Sequence, residues 1–594
     1  MSAFSSTRIL AWRKKNIRDK SLVFVLSIII GIAAGLAAVL LKTSVHYIEY
    51  FLRNTSRIEK QDWFYLLIPL AGILITVLYV RFFVKDDISH GVSKILHSIS
   101  KRNSKIKKHN MYSSVVSCTF TGGFGGSVGM EAPILYTGAA IGSNLGQLFR
   151  LNYKTLTLLI GCGVAGALSA IFKAPIAGMI FALEVLMLDL TAASIIPLLL
   201  STVTGAIISM LLLGEKIEFY FTLRDPFNYH NIPFYILLGI FSGFISLYFT
   251  RMTGWIEKIF SEFKNPYRKA IFGGLAVSIL IFFFPPLYGE GYTAMKSILS
   301  GNTQELFNNS LFYSSGDSQW FFLFFIVALI FFKVIAMAAT TGSGGIGGVF
   351  APSLFVGGAT GFAFSKFINI ISPSWIRLSE SNFTLVGMAG LIAGVMQAPL
   401  TAIFLIAEIT GGYGLFIPLI ITASISYMTI HYFEKYSIYT KKLAKHGELI
   451  TQDKDKAVLH FMKIQDVLET NFSVVKENAS LGELVKIISK SKRNIFPVLD
   501  EHYHFLGMIV LDDVKEVMFK KEEYDKIFVR DLMVQPLDYV TLSDTMQTVA
   551  EKFKIAGLWN LPVIEDNRYL GFVSRANVFN VYREKLKEFT EDVT

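Results

Sequence analysis

Residues 126–133 read Gly126-Ser127-Val128-Gly129-Met130-Glu131-Ala132-Pro133, and a matching stretch in the second half of the chain reads Gly345-Ile346-Gly347-Gly348-Val349-Phe350-Ala351-Pro352. Each is an irregular glycine cluster that closes on a proline. That is the pattern of a helix start rather than of a packing stripe, because proline is tolerated in a first helical turn, where its missing N–H is not needed. A helix start exposes unpaired backbone N–H groups and the positive end of the helix dipole, which together hold an anion without a buried Lys or Arg. Glycine lets an ion come close to the backbone.

The correspondence extends outward. Gly163-Val164-Ala165-Gly166, Lys173-Ala174-Pro175 and Glu184 recur as Gly387-Met388-Ala389-Gly390, Gln397-Ala398-Pro399 and Glu408, in the same order and at one constant spacing. The chain therefore carries an internal repeat of short, Gly- and Pro-interrupted apolar segments. Transporter folds have this mark, with half-helices meeting near the bilayer midplane. Irregular backbone at that depth is tolerated only where it is buried in protein or lines a cavity, so both glycine clusters are expected to line a permeation path. Gly163, Gly166, Gly387 and Gly390 are expected instead to let helices pack closely.

The composition agrees: 52% of the 594 residues are hydrophobic and the mean hydropathy is +0.49, too apolar for an ordinary soluble protein. Ser21 to Leu41, Trp63 to Val80 and Trp320 to Ala339 are each about long enough to cross hydrocarbon. Arg8, Arg13, Lys14, Lys15, Arg18 and Lys20 precede the first of them, which puts the N-terminal segment 1–20 in the cytoplasm and the protein in the cell membrane as a multi-pass chain. The first apolar run is too long for a signal-peptide core and is read as retained. The net charge of +11 comes from Lys and Arg beside spans and in the tail, where topology puts them, so no nucleic-acid partner is inferred. Cys118 and Cys162 lie in apolar sequence without metal-ligand spacing. No HExxH and no GxxxxGK[ST] motif occurs, and no nucleophile–base pair or catalytic constellation is found, so an enzyme is not expected.

Apolar character ends near His431. The expected domains are a membrane domain at 21–440 with repeats at about 21–215 and 230–440, a linker at 441–462, and a soluble α/β tail. In the tail, Lys463-Ile464-Gln465-Asp466 recurs as Phe528-Val529-Arg530-Asp531 and Pro497-Val498-Leu499 as Pro562-Val563-Ile564, again at one constant spacing. Gly507-Met508-Ile509-Val510 and Gly571-Phe572-Val573-Ser574 follow, giving units 463–525 and 526–585.

An ionisable group inside a membrane is costly and is a functional candidate by default. Glu131 is the sharpest case, since its carboxylate stands at a helix-start anion site, where it can occupy the position of the permeant ion and withdraw when protonated. Glu184 and Glu408 hold equivalent places in the two repeats, which favours a shared structural role.

These residues resemble the CLC family of chloride channels and chloride/proton antiporters over nearly the whole chain. Gly348-Val349-Phe350-Ala351-Pro352 is similar to the family's GxFxP segment, and Gly129-Met130-Glu131-Ala132-Pro133 to its G(K/R)EGP segment. His90-Gly91-Val92-Ser93 answers to GSGIP, with His90 in place of the central serine. Ser437-Ile438-Tyr439 resembles the segment that supplies a tyrosine hydroxyl. The resemblance implies a polytopic α-helical fold of inverted repeats with broken helices, assembled as a homodimer with one pathway per subunit. It also implies a chloride site formed by Val349, Phe350, Tyr439, Gly129, Met130 and the His90 region, with Glu131 as gate. Met130 replaces a basic residue, which weakens the attraction of anions there. Imidazole at position 90 can still donate a hydrogen bond, or add a charge when protonated. Where antiporters often carry an internal proton glutamate, next to the Glu184 position, this chain has Val185. Valine carries no proton, which favours a voltage- or pH-gated channel over the alternative, a chloride/proton antiporter.

The two tail units resemble a CBS pair, whose cleft in many proteins takes adenine nucleotides. Ser574 fits the hydroxyl position of that site and Asp513 its ribose-binding position in the first copy. Asn577 and Val510 are departures, so nucleotide binding and a purely structural role both stay open, and no cofactor is required. A CBS-containing cation transporter is the further alternative, but hard cations need clustered carboxylates and those of the membrane part are scattered.

Overall fold

Sixteen helices make up the membrane part among the described residues, eight in each repeat. The first eight are α1 (Asp19–Thr55), α2 (Ile68–Tyr79), α3 (Gly91–Lys101), α4 (Ser113–Gly123), α5 (Glu131–Leu148), α6 (Tyr153–Phe172), α7 (Pro175–Val185) and α8 (Ala192–Leu213). Their counterparts are α9 (Ile232–Ser261), α10 (Pro266–Phe283), α11 (Tyr292–Ser300), α12 (Gln319–Gly342), α13 (Phe350–Ile371), α14 (Glu380–Met396), α15 (Pro399–Ile409) and α16 (Phe416–Phe433). The structure is a computed structural model that describes residues 19–55, 67–188, 191–215, 226–307, 318–373, 375–445, 459 and 462–590. It divides into two units, residues 1–449 and 450–592.

Eight of the described helices are long and apolar enough to cross a membrane, while 175–185, 380–396 and 399–409 are shorter. The stretch expected to span from Trp63 differs. Its described part begins as α2 at Ile68, with Pro69 in the first turn, and passes into a π-helical turn at Val80–Val84. Trp63 itself lies outside the described residues, as does most of segment 1–20.

The glycines of the repeat act in packing. Gly163 lies back to back with Gly138 where α6 crosses α5. In the second repeat a Cβ on Gly387 would come within 2.5 Å of the Gly357 carbonyl where α14 crosses α13. Lys173 and Gln397, at equivalent places in the two repeats, both end their helices in the left-handed conformation, at φ 57° and 52°.

The shared role of the paired glutamates is helix capping across the repeats. Glu184, near the C-terminal end of α7, accepts from the Leu400 and Thr401 amides at 3.1 and 2.8 Å, at the start of α15. Glu408, near the end of α15, accepts from the Ile176 and Ala177 amides at 3.0 and 2.8 Å, at the start of α7. Each carboxyl group thus satisfies orphan N–H groups of the other repeat. Two helices that cap each other end to start run antiparallel, as equivalent helices of an inverted repeat do.

The membrane unit runs past position 440. Lys441–Lys445 forms a further turn, α17, whose Leu443 is buried in the core with Tyr439, so the expected linker begins after it. Residues 446–458 lie outside the described ones.

The tail holds two three-stranded sheets. In one, β3 (Ile495–Leu499) pairs in parallel with β2 (Val475–Lys476) and antiparallel with β4 (Phe505–Val510). In the other, β6 (Arg568–Ser574) lies between β5 (Asn560–Glu565) and β1 (Leu468–Glu469). The copies share even an irregularity, a register shift after Val498 and after Val563. β1 belongs to the first copy yet completes the sheet of the second, which ties the two together.

Candidate anion pathway

The two glycine clusters meet. Gly129 N–H donates to the Gly348 carbonyl at 3.0 Å and Gly348 N–H to the Gly129 carbonyl at 2.7 Å, a one-residue antiparallel bridge. It joins the residues just before α5 and α13, so the two positive helix ends are held together. Met130 and Val349 are the residues from which those helices start, and neither uses its side chain as a cap. Phe350 opens α13, buried against the rings of Phe172 and Phe181, 5.3 and 6.3 Å away between centroids.

Glu131 is the first residue of α5 and is 1% exposed. Its Oε1 accepts from the Tyr292 hydroxyl at 2.8 Å, and the Glu131 and Ala351 amides bear on the same carboxylate. Oε2 is sealed from solvent and completes no hydrogen bond among the described residues. That oxygen fills the space a Cβ on Gly129 would need.

The third and fourth segments reach the same place from opposite ends of the sequence. Ser93, in the first turn of α3, donates its hydroxyl to the Tyr439 carbonyl at 2.9 Å. Tyr439 is buried. The start of α3 abuts α5 so closely that a Cβ on Gly91 would stand 2.5 Å from the Ala132 carbonyl. His90 caps α3 in the left-handed conformation, φ 54°. Its side chain is 35% exposed, with Nδ1 3.7 Å from Glu257 Oε1. Val185 is buried at the end of α7.

Three residues of this region were missed in the sequence. Lys333 of α12 is fully buried, its Nζ donating to the Leu287 and Gly289 carbonyls at 3.1 and 2.7 Å and lying 5.1 Å from the centre of the Phe355 ring. Glu290 Oε1 accepts from the Met130 amide at 3.0 Å, and Tyr292 holds Glu131. Lys333 was legible by the rule that found Glu131, since it is a lone cation inside an apolar span. Glu290 and Tyr292 gave no such signal.

In the tail, Asp513 is exposed. Ser574 donates to Glu469 Oε1 at 2.5 Å and accepts from the Asn577 amide at 3.1 Å. The Asn577 side chain donates to the Val467 carbonyl at 2.9 Å. Glu469 is also paired with Arg493 at 2.6 Å.

Inverted repeats, broken helices and paired helix starts around a buried carboxylate define a membrane transporter for anions. The model described as "Voltage gated chloride channel" matches residues 71–431, more than half of the chain, and the CBS domain model matches 464–520 and 529–584. The chain belongs to the voltage-gated chloride channel family, whose members are channels and transporters rather than enzymes. Chloride channel protein CLC-e of Arabidopsis thaliana is 26% identical, over 85% of this chain and 78% of that protein. The H(+)/Cl(-) exchange transporter ClcA of Vibrio cholerae is 27% identical, over 68% of this chain and 84% of that one. The crystal structure of a slow cyanobacterial Cl-/H+ antiporter shares the fold, with a TM-score of 0.62 and 22% identity over 71% of this chain and 97% of that one.

Proposed function

We propose that the protein passes chloride across the cell membrane along a path that runs between the starts of α5 and α13, with Glu131 as its gate. One observation carries this: a buried carboxylate stands where the two positive helix ends are bridged by Gly129 and Gly348. Its own charge occupies the position an anion would take, and protonation removes the reason for it to stay. Gly129, Met130, Val349 and Phe350 supply backbone to the site and Tyr439 a hydroxyl. His90 stands at the α3 entrance, half-exposed beside the Glu257 carboxylate, where its ring can donate to an arriving anion.

The mode is channel-like conduction, supported by the buried, apolar Val185 where a proton relay would need a carboxyl group. Proton-coupled exchange is the second reading, favoured by the likeness to the exchange transporter of Vibrio cholerae. The active form is a homodimer with both termini in the cytoplasm. The tail has a structural role, supported by the engagement of Ser574 and Asn577 within the fold.

Full-length protein in chloride-loaded liposomes tests this, with anion efflux and pH recorded together across an imposed proton gradient. Chloride flux without coupled proton movement supports the channel, while uphill proton movement replaces it with the exchanger. Absence of anion flux would sink both readings, and a pH response unchanged in Glu131→Gln and Glu131→Ala would remove the gate.

A further inference from the structure

The loop before α11 is stitched to the loop before α5 at four points. Ser127 donates its hydroxyl to the Leu287 carbonyl at 2.7 Å, and Gly289 N–H donates to the Gly125 carbonyl at 3.2 Å. The Met130 amide donates to Glu290 and the Tyr292 hydroxyl to Glu131. From behind, the buried Lys333 ammonium holds two carbonyls of the same loop. The loop ends on Gly291, at φ 87°, where a Cβ would stand 2.5 Å from the Phe355 ring. Tyr292 follows at once as the first residue of α11, so its backbone is placed by this anchored loop.

We propose that the Tyr292 hydroxyl is the latch of the Glu131 gate, and that Lys333 and Glu290 are positioning residues that set it. This rests on Glu131 being the gate. A gate carboxylate has to leave its site for an anion to pass, and a hydrogen bond from a fixed donor holds it there. Such bonds to a charged acceptor are about twice as strong as neutral ones. The donor favours the ionised, closed form over the protonated one, so the latch sets the pH at which the gate releases. Other groups bear on the same centre: Lys42 on α1, Cys118 on α4, Glu290 in the loop, and Tyr439 ahead of α17. Lys333 acts at one remove, through Glu290 and the loop carbonyls. Among the described residues Tyr292 is the side chain that hydrogen-bonds the Glu131 carboxylate.

The test is chloride efflux from liposomes holding the full-length protein, as a function of pH, for wild type, Glu131→Gln, Tyr292→Phe, Lys333→Met and the double variant Tyr292→Phe/Lys333→Met. Tyr292→Phe keeps the ring and removes only the donor. Flux should rise severalfold at neutral pH and its midpoint should move upward by about one pH unit, the size of one hydrogen bond to a charged group. Lys333→Met should move the midpoint the same way, and the double variant should go no further than Tyr292→Phe alone, because Lys333 acts through the tyrosine. A lysine that merely satisfies carbonyls would change the amount of folded protein and leave the midpoint in place; that result overturns its positioning role. If Lys333→Met does not fold, Tyr292→Phe decides the latch by itself. A wild-type midpoint in Tyr292→Phe, with Glu131→Gln flat, overturns the latch and leaves the gate standing. A wild-type profile in Glu131→Gln removes the gate and the latch with it.

Discussion

Glu184 accepts two hydrogen bonds from Thr401, one from its amide at 2.8 Å and one from its hydroxyl at 2.7 Å. The contact joins the two repeats at the end of α7. Replacing Glu184 by alanine strands the Leu400 and Thr401 amides in a half-buried site, at a cost of about 1–3 kcal/mol. Glu408→Ala should cost a similar amount, since it bares the Ile176 and Ala177 amides. Thermal unfolding of the purified protein reads both. If these glutamates are caps and nothing more, the pH dependence of flux in folded variants stays that of wild type.

Much of this architecture was legible because a repeat displays it twice. Motifs recurring in the same order announced two equivalent halves, and the Gly–Pro clusters announced broken helices. Inversion was legible only through the family resemblance, because a recurrence in sequence by itself carries no direction in space. It took the reciprocal capping by Glu184 and Glu408 to show that α7 and α15 run antiparallel. Glu131 stood out as an ionisable group in apolar sequence. Tyr292 did not, since a tyrosine after Glu290-Gly291 is unremarkable until the loop is folded against α5. The end of the membrane unit was set too early for a similar reason: Lys441, Lys442 and Lys445 read as polar linker, yet they flank Leu443, which is buried in the core.

The crossing of α13 and α14 sets a steric test. In Gly387→Ala the new Cβ meets the α13 backbone at two places, the Gly357 carbonyl at 2.5 Å and Gly361 at 2.8 Å. Backbone atoms in a packed crossing do not yield as a flexible side chain does, so a destabilisation of about 1–3 kcal/mol is expected. Gly412→Ala is the control, since no atom lies within 4 Å of its Cβ position. A lower unfolding midpoint in the first variant and not in the second is the expected result.

Tyr439 offers a test of the anion site that leaves the gate intact. If its hydroxyl donates to the bound ion, Tyr439→Phe removes one hydrogen bond worth about 1 kcal/mol, roughly a fivefold loss of chloride affinity. Ser93→Ala frees the Tyr439 carbonyl from α3 and should weaken binding less. Calorimetric titration of chloride measures both, and equal affinity in Tyr439→Phe and wild type would take the hydroxyl out of the site.

For the tail, the engagement of Ser574 by Glu469 and of Asn577 by Val467 predicts indifference to nucleotide. A ligand that binds only the folded state stabilises it in proportion to the logarithm of its concentration over the dissociation constant. Adding millimolar ATP or AMP to the full-length protein should therefore leave the tail's unfolding transition where it was. Glu469→Ala releases the Ser574 hydroxyl, and a nucleotide-dependent rise confined to that variant would identify Glu469 as the group that closes the site. A rise in wild type would overturn the structural reading of the tail.

The tail also has a carboxylate whose titration can be followed apart from the gate. Burial pushes the Asp544 carboxyl up, but the Thr541 amide and the Lys552 ammonium, 2.9 Å away in each case, outweigh it and hold the group below its ordinary value. Because the folded form holds its proton less tightly than the unfolded chain does, this contact adds stability above the unfolded carboxylate's ordinary pKa, and that stability drains away as pH falls through the lowered value. The hydrogen-exchange protection factor at α18 (Met546–Ala556), the measured rate set against the intrinsic amide rate at the same pH, should accordingly fall as the solution is taken from neutral to below about pH 4. In Lys552→Met the ammonium is gone, the folded carboxyl moves back toward its unfolded value, and the acid sensitivity of that helix shrinks. An identical acid response in wild type and Lys552→Met would mean that other carboxylates govern the stability of the tail.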